Sequence, residues 1–206
     1  MDGAMGKTKR EVVTEFRTGE LLAAARAVFA EKGFDGATIE GVAAAAGVAK
    51  GTVYLYYRSK QELYGAVFRE GMLALHRATT ERVQAASDLE AKVRAFVTTK
   101  LAYFEEHREF FRIYFEAFGS ARAVGPGLQA EFDALYREQV QMLETAIRSG
   151  VKRGECRKLR PDAAAFAIFD LTRGLLRQRT LGWTRTGLEE DVAFAFDFIW
   201  KGIAGR

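Results

Sequence analysis

The chain has 206 residues, 49% of them hydrophobic and only two of them proline, with a formal net charge of +4 and a pI of about 9.2. This length allows one large or two small domains around a sizeable core, and the composition favours a helical, globular protein over a disordered one. No apolar run approaches the roughly 18 residues of a bilayer helix and no signal-peptide core follows the basic N-terminus, so a cytoplasmic protein without membrane contact is expected.

Residues 1 to about 12 are small and polar, with Lys7, Lys9 and Arg10 grouped together. They read as a frayed terminus, with a basic arm along a DNA groove as the alternative. From about Thr14 to Lys32, Leu21, Leu22, Ala25, Val28 and Phe29 follow a helical stripe that Gly33 ends.

The next stretch, TIEGVAAAAGVAKGTVYLYYRSKQEL from Thr38 to Leu63, organises the chain. Thr38 is placed to cap a short helix whose stripe is Ile39, Val42, Ala43 and Ala46. Gly47 supplies the left-handed turn, and Val48 is expected to plug a tight, buried corner. A second short helix runs from Ala49 to about Tyr56 with Val53 and Tyr57 inward, leaving Lys50, Gly51, Thr52, Tyr54 and Tyr56 for an outer surface. A helix of that length spans about 12 Å, which suits a DNA major groove. No acidic residue lies between Glu40 and Glu62, whereas Lys50, Arg58 and Lys60 do, and three tyrosines cannot all enter one short helix's core. An outward phenol can bond a phosphate oxygen.

GFDGATIEGVAAAAGVAKGTVYLYYRSKQELYGAVF, preceded by AARAVFAEKG, resembles the DNA-binding domain of the tetracycline-repressor (TetR) family of bacterial transcription regulators. The resemblance implies that Thr38, Lys50, Gly51, Thr52, Tyr54, Tyr56 and Lys60 occupy DNA-contacting positions, Lys60 and the hydroxyls mostly on the backbone. Two positions depart from the family pattern: Ala49 stands where Ser or Thr is frequent, and Gly41 where a polar side chain is usual.

Downstream, Ser59 with Glu62, Ser87 with Glu90 and Thr186 with Glu189 have the spacing of capping boxes. Helices are expected from Lys60 to about Val83, then over about 88–106, 109–119, 126–153, 161–181 and 187–203, with Pro126 and Pro161 in first turns and Gly154 as a stop. The expected fold is therefore all-α, about nine helices: a three-helix helix-turn-helix head, residues 1–58, joined to a helical ligand-binding and dimerisation bundle, residues 59–206.

Between Phe96 and Tyr136 aromatic residues crowd together, Phe118 among them, and most must be core. The family resemblance implies a ligand pocket in the bundle. Phe96, Phe111 and Tyr136 are its candidate walls, and Tyr103, His107, Arg112 and Arg173 its candidate polar contacts, for an apolar or aromatic effector. The last two helices carry apolar residues on more than one face, and a chain end cannot cover them alone. Phe166, Phe169, Gly174, Phe194 and Phe198 are accordingly expected in a twofold homodimer interface, which fits the family.

Such a dimer would present two reading helices about 34 Å apart to successive major grooves of a palindromic double-stranded operator. The function expected from this is a ligand-responsive homodimeric repressor. The competing class is a helical small-molecule carrier or an enzyme. Only His76 and His107 are present, without a metal spacing, a nucleophile motif or a phosphate-binding glycine loop, so no catalytic residue, metal site or cofactor is expected. Cys156, the single cysteine, reads as an ordinary unpaired thiol rather than a redox sensor.

Overall fold

The computed structural model describes residues 8–119 and 126–205, with the side chains of 9–15, 118 and 126 left undescribed. Lys7 and the side chains of Lys9, Arg10 and Phe118 thus lie outside the described residues. Nine helices and no strand occur among the described residues: α1 Lys9–Gly36, α2 Ile39–Ala45, α3 Lys50–Tyr56, α4 Lys60–Ala85, α5 Leu89–Glu106, α6 Arg108–Gly119, α7 Pro126–Arg153, α8 Pro161–Thr180 and α9 Leu188–Ile203. The expected helices fall within a few residues of these, except that the first starts at Lys9 instead of Thr14.

Local chemistry sets the breaks between helices. α1 kinks at Gly33, whose φ of 68° lies in the left-handed region. At Gly47, φ is 66°, and the Val48 amide reaches back to the Ala43 carbonyl at 3.0 Å, the wider of the two bonds of a Schellman closure. The corner is tight but not buried, because Gly47 is exposed and Val48 only half-covered.

Of the three capping boxes, that at Ser59 forms, its Oγ accepting from the Glu62 amide at 3.1 Å while Glu62 accepts from Arg58 N–H at 2.6 Å. The other two do not. Asp88 caps α5 in place of Ser87, accepting from Ala91 N–H at 2.8 Å, while the Ser87 hydroxyl donates to the Asp88 carboxylate at 2.9 Å. Gly187 starts α9 without a side-chain cap, and the Thr186 hydroxyl instead donates to Asp191 at 2.5 Å.

The stripe Leu21, Leu22, Ala25, Val28 and Phe29 is buried, and α1 packs on both α4 and α6, so the head leans on the bundle along a continuous apolar seam. At its edge the half-buried Glu116 carboxylate of α6 accepts from Phe34 N–H at 2.8 Å and from the Tyr64 hydroxyl at 3.3 Å. Burial first, then the Glu116 charge, pushes the Tyr64 phenol far above its usual value, so it remains a donor. Tyr64 also reaches the Ile113 carbonyl at 3.1 Å. Deeper in, α4 and α6 approach so closely that a Cβ at Gly71 would run into the Phe110 ring.

At the opposite end, Arg179 of α8 ties three helices together, its guanidinium bridging Glu105 of α5 and Asp191 of α9. Arg179 and Asp191 are both more than nine-tenths buried. Removing the cation strands the buried Asp191 carboxylate, while Glu105 keeps Arg108; breaking a buried pair in this way costs about 3–5 kcal/mol. Arg179→Ala should therefore lower unfolding free energy in urea by about that amount, and a variant as stable as the parent would show the bridge to be dispensable.

Candidate functional site

Val53 and Tyr57 are buried against the head's core, and this fixes which side of α3 faces out. Lys50, Gly51 and Tyr54 are exposed, and Thr52 and Tyr56 are half-covered. Thr38 is exposed; its Oγ1 accepts from Gly41 N–H at 3.0 Å, which leaves its proton for an outside acceptor. Gly41 has a local reason, since a Cβ there would press on that cap hydroxyl at 3.3 Å. Ala49, having no hydroxyl, gives α3 no side-chain cap.

Lys50 lies 5.8 Å from the centre of the Tyr54 ring and pairs with Glu40 across the turn, which lowers the Glu40 pKa and raises that of Lys50. Both partners are solvent-exposed, so water or a phosphate can replace the carboxylate at little cost. Leu55, which the sequence reading passed over, is 82% exposed on this surface, an apolar side chain with nothing to cover it in the head.

Lys60 corrects the sequence reading. Its ammonium donates to the carbonyls of Phe34, Ala37 and Asp35 at 2.7, 3.0 and 3.3 Å and lies 4.6 Å from the Phe34 ring centre. Its three protons close the end of α1 instead of pointing to solvent, because the chain leaves the helix after Gly36 and these carbonyls have no helical amide to accept from.

The proposed effector residues separate into four places. Phe96 and Phe111 have no accessible surface, so neither touches a void that could admit water; they are packing in this conformation, not pocket wall. Arg112 is exposed on the outer face of α6, because the inner face is taken by Phe110, Phe111, Ile113 and Tyr114. His107 caps the end of α5, its ring 4.0 Å from that of Tyr103. Tyr103 itself borders an outer groove of about 620 Å³ between α4 and α5.

Tyr136 and Arg173 do converge, on a residue the sequence reading missed. Asp170 of α8 accepts from the Tyr136 hydroxyl at 3.5 Å and pairs with Arg173 at 3.0 Å. Arg173 and Asp170, with Phe115, Gly174 and Arg177, line a cleft of about 320 Å³. Behind it lies Lys100, 4% exposed, with Nζ 3.7 Å from the Phe169 ring centre and 4.7 Å from that of Phe96. Burial holds the Lys100 pKa well below the usual lysine value, with Arg173 pushing the same way and Asp170 opposing. The signal was present in the chain: Lys100 continues the buried stripe Val93, Phe96, Val97, Leu101 and Phe104.

On the α8–α9 face, Phe166, Phe194 and Phe198 are 45%, 57% and 62% exposed, and Gly174 has open space where a Cβ would be. Phe169 does not belong there. It turns inward, its ring 4.4 Å from Tyr136 and 6.0 Å from Phe96, because it sits three residues from Phe166 on the helix flank facing α7 and α5. An apolar cleft of about 380 Å³ beside Phe198 runs over Ala163, Ala167, Leu171 and Ile199, rimmed by Arg157 and Arg160.

Residues 21–67 match the family model of the bacterial regulatory proteins of the tetR family, and residues 86–177 match that of the tetracyclin repressor-like C-terminal domain, together about two-thirds of the chain. The chain belongs to the TetR family. FasR, an HTH-type transcriptional activator of Mycolicibacterium smegmatis, is 32% identical over 100 residues, 48% of this chain and 46% of that protein. The alignment therefore spans about half the length of this relative. AibR, solved with isovaleryl coenzyme A and operator DNA, superposes with a TM-score of 0.74 at 18% identity over 88% of this chain and 97% of that one. FadR from Bacillus subtilis, solved with stearoyl-CoA, gives 0.74 at 18% identity over 88% and 96%.

As a TetR-family member the protein is a DNA-binding transcription regulator. Among the described residues no three His, Cys, Asp or Glu side chains lie together in a way that could hold a metal ion, and no helix is long and apolar enough to cross a membrane. Cys156 is buried, and burial together with Glu155 pushes its thiol pKa up, away from the reactive thiolate.

Because Lys60 bonds three carbonyls, Lys60→Ala should destabilise the fold by about 1–3 kcal/mol, read by urea unfolding. A variant of unchanged stability would return Lys60 to the set of residues available to DNA.

Proposed function

We propose that the protein is a ligand-responsive homodimeric repressor that reads a palindromic operator through residues 1–58 and is released when a small apolar effector binds the bundle, residues 59–206. The observation that carries the DNA half is the outward set on and beside α3, namely Thr38, Lys50, Gly51, Thr52, Tyr54 and Tyr56, held by the inward Val53 and Tyr57. Thr38, Tyr54 and Tyr56 would donate to phosphate oxygens and fix the register, while Lys50 and Thr52 read base edges. Leu55 adds an apolar tip suited to thymine methyl groups.

Dimerisation would pair the α8–α9 faces of two protomers through Phe166, Phe194 and Phe198, with Gly174 allowing close approach. The effector is proposed to be an acyl-bearing molecule of the kind found in AibR and FadR, whose folds superpose on this one. It would act by preferring the bundle conformation whose two heads do not match the operator spacing. Full release, from 99:1 to 1:99, requires a difference in affinity of about 5.5 kcal/mol. The proposed setting is the cytoplasm, where DNA and acyl thioesters coexist.

Two experiments test this reading. Tyr54→Phe and Lys50→Ala should each weaken binding to a selected operator, and Lys50→Ala should also reduce the slope of log affinity against log salt by about 1; wild-type affinity and slope in both would remove α3 from the interface. Phe198→Arg should yield folded monomers by sedimentation that lose operator binding, whereas a dimeric variant would displace the interface from this face.

A further inference from the structure

We infer that Lys100 is the anchor for an anionic head group, a carboxylate or a phosphate, on an effector whose apolar body lies among the bundle's aromatic rings; this rests on the effector-binding reading above. Among the described residues Lys100 has no hydrogen-bond acceptor or ion-pair partner, although the residue is only 4% exposed and its ammonium carries three donors. Its near neighbours are the faces of Phe96 and Phe169. A lysine in such a place is costly to the fold, and a methionine of similar length would fill the same space without that cost. The ring faces attract the cation but leave its three donors without an acceptor, which an incoming anion would supply.

The surroundings supply a route. Phe169 separates Lys100 from the Tyr136 edge, and Tyr136 is bonded to Asp170, which also holds Arg173 at the floor of the open cleft. Arg173 and Arg177 outnumber Asp170 in the lining of that cleft, so an anion is drawn to it before it reaches the interior. Moving the Tyr136 and Phe169 rings aside exposes Lys100 to the cleft and opens a space walled by Phe96 and Phe169. Asp170 would then exchange Tyr136 for solvent while keeping Arg173. A neutral effector offers Lys100 at most a hydroxyl or carbonyl oxygen, a weaker acceptor for an ammonium than an anion.

The test uses the full-length protein and three probes: dodecanoate, dodecanoyl-coenzyme A and the neutral 1-dodecanol, with affinities from calorimetry. Wild type should bind at least one of the two anionic probes about ten- to a hundredfold more tightly than the alcohol. Lys100→Met and Lys100→Gln should both erase that margin, and Lys100→Met should unfold at the same or a higher temperature than wild type. Loss confined to dodecanoate identifies a carboxylate as the head group; loss confined to the thioester identifies a carrier phosphate. An anionic margin unchanged in both variants, a wild type that does not favour an anion, or a wild type that binds none of the probes overturns the assignment. Operator binding measured on the same samples separates the two readings. Variants that hold DNA normally but lose the anionic margin support the anchor, whereas a wild type that ignores DNA while showing the margin refutes the repressor and leaves the anchor standing.

Discussion

The carboxylate of Glu116 is the contact on which the placement of the DNA-reading surface depends. It accepts from the backbone amide just beyond the α1 kink and from the phenol of α4, so one side chain of α6 fixes where α1 ends and where α4 begins. Gly33 suits this turn chiefly through its backbone. Its left-handed φ turns the chain toward α2, and a Cβ would come within 2.9 Å of the carboxylate oxygen. Lys60 completes the joint from the other side by closing the carbonyls of the same turn. With both ends of the turn held, α2 and α3 inherit their orientation from the bundle, and the helix-turn-helix is less a separate bead than an extension of it.

The helices were legible in the sequence because their signals are local. The 3.6-residue stripes of α1 and α4, the prolines of α7 and α8 and the glycines after α2 and α7 act within a few residues, and no tertiary contact overrides them. Side-chain assignments survived less well wherever a distant partner decided them. Lys60 read as a phosphate contact because its outcome depends on carbonyls more than twenty residues away in the chain. Phe169 and Phe166 share one helix, one chemistry and a contact with Tyr136 of α7, and only the neighbours from α5 distinguish the inward ring from the outward one. The misplaced caps at Ser87 and Thr186 failed for a nearer reason, since both hydroxyls donate to a neighbouring carboxylate, Asp88 and Asp191.

The aromatic content divides along the same line. Phe96, Phe104, Phe110, Phe111 and Phe132 fill the bundle's interior with edge-on and tilted contacts, which makes the resting core dense. Density and ligand uptake are compatible only if some rings can move as a group, and the rings beside Tyr136 are those with polar company and a cleft behind them. The charged groups inside this bundle thus have different standing. Arg179 is matched by two carboxylates and stabilises the resting fold, while Lys100 is matched by none of the described residues and stores a cost that a second molecule can relieve.

The length of α4 sets the scale of what such relief can accomplish. Its 26 residues make a rod of about 39 Å, so pivoting by about 5° at the far end carries the Lys60 tip through about 3 Å. That arc is comparable to one hydrogen bond. Because the tip is clamped to the turn between α1 and α2, the displacement is delivered to the whole head at once, and contacts with a rigid duplex would be surrendered as a set instead of one by one.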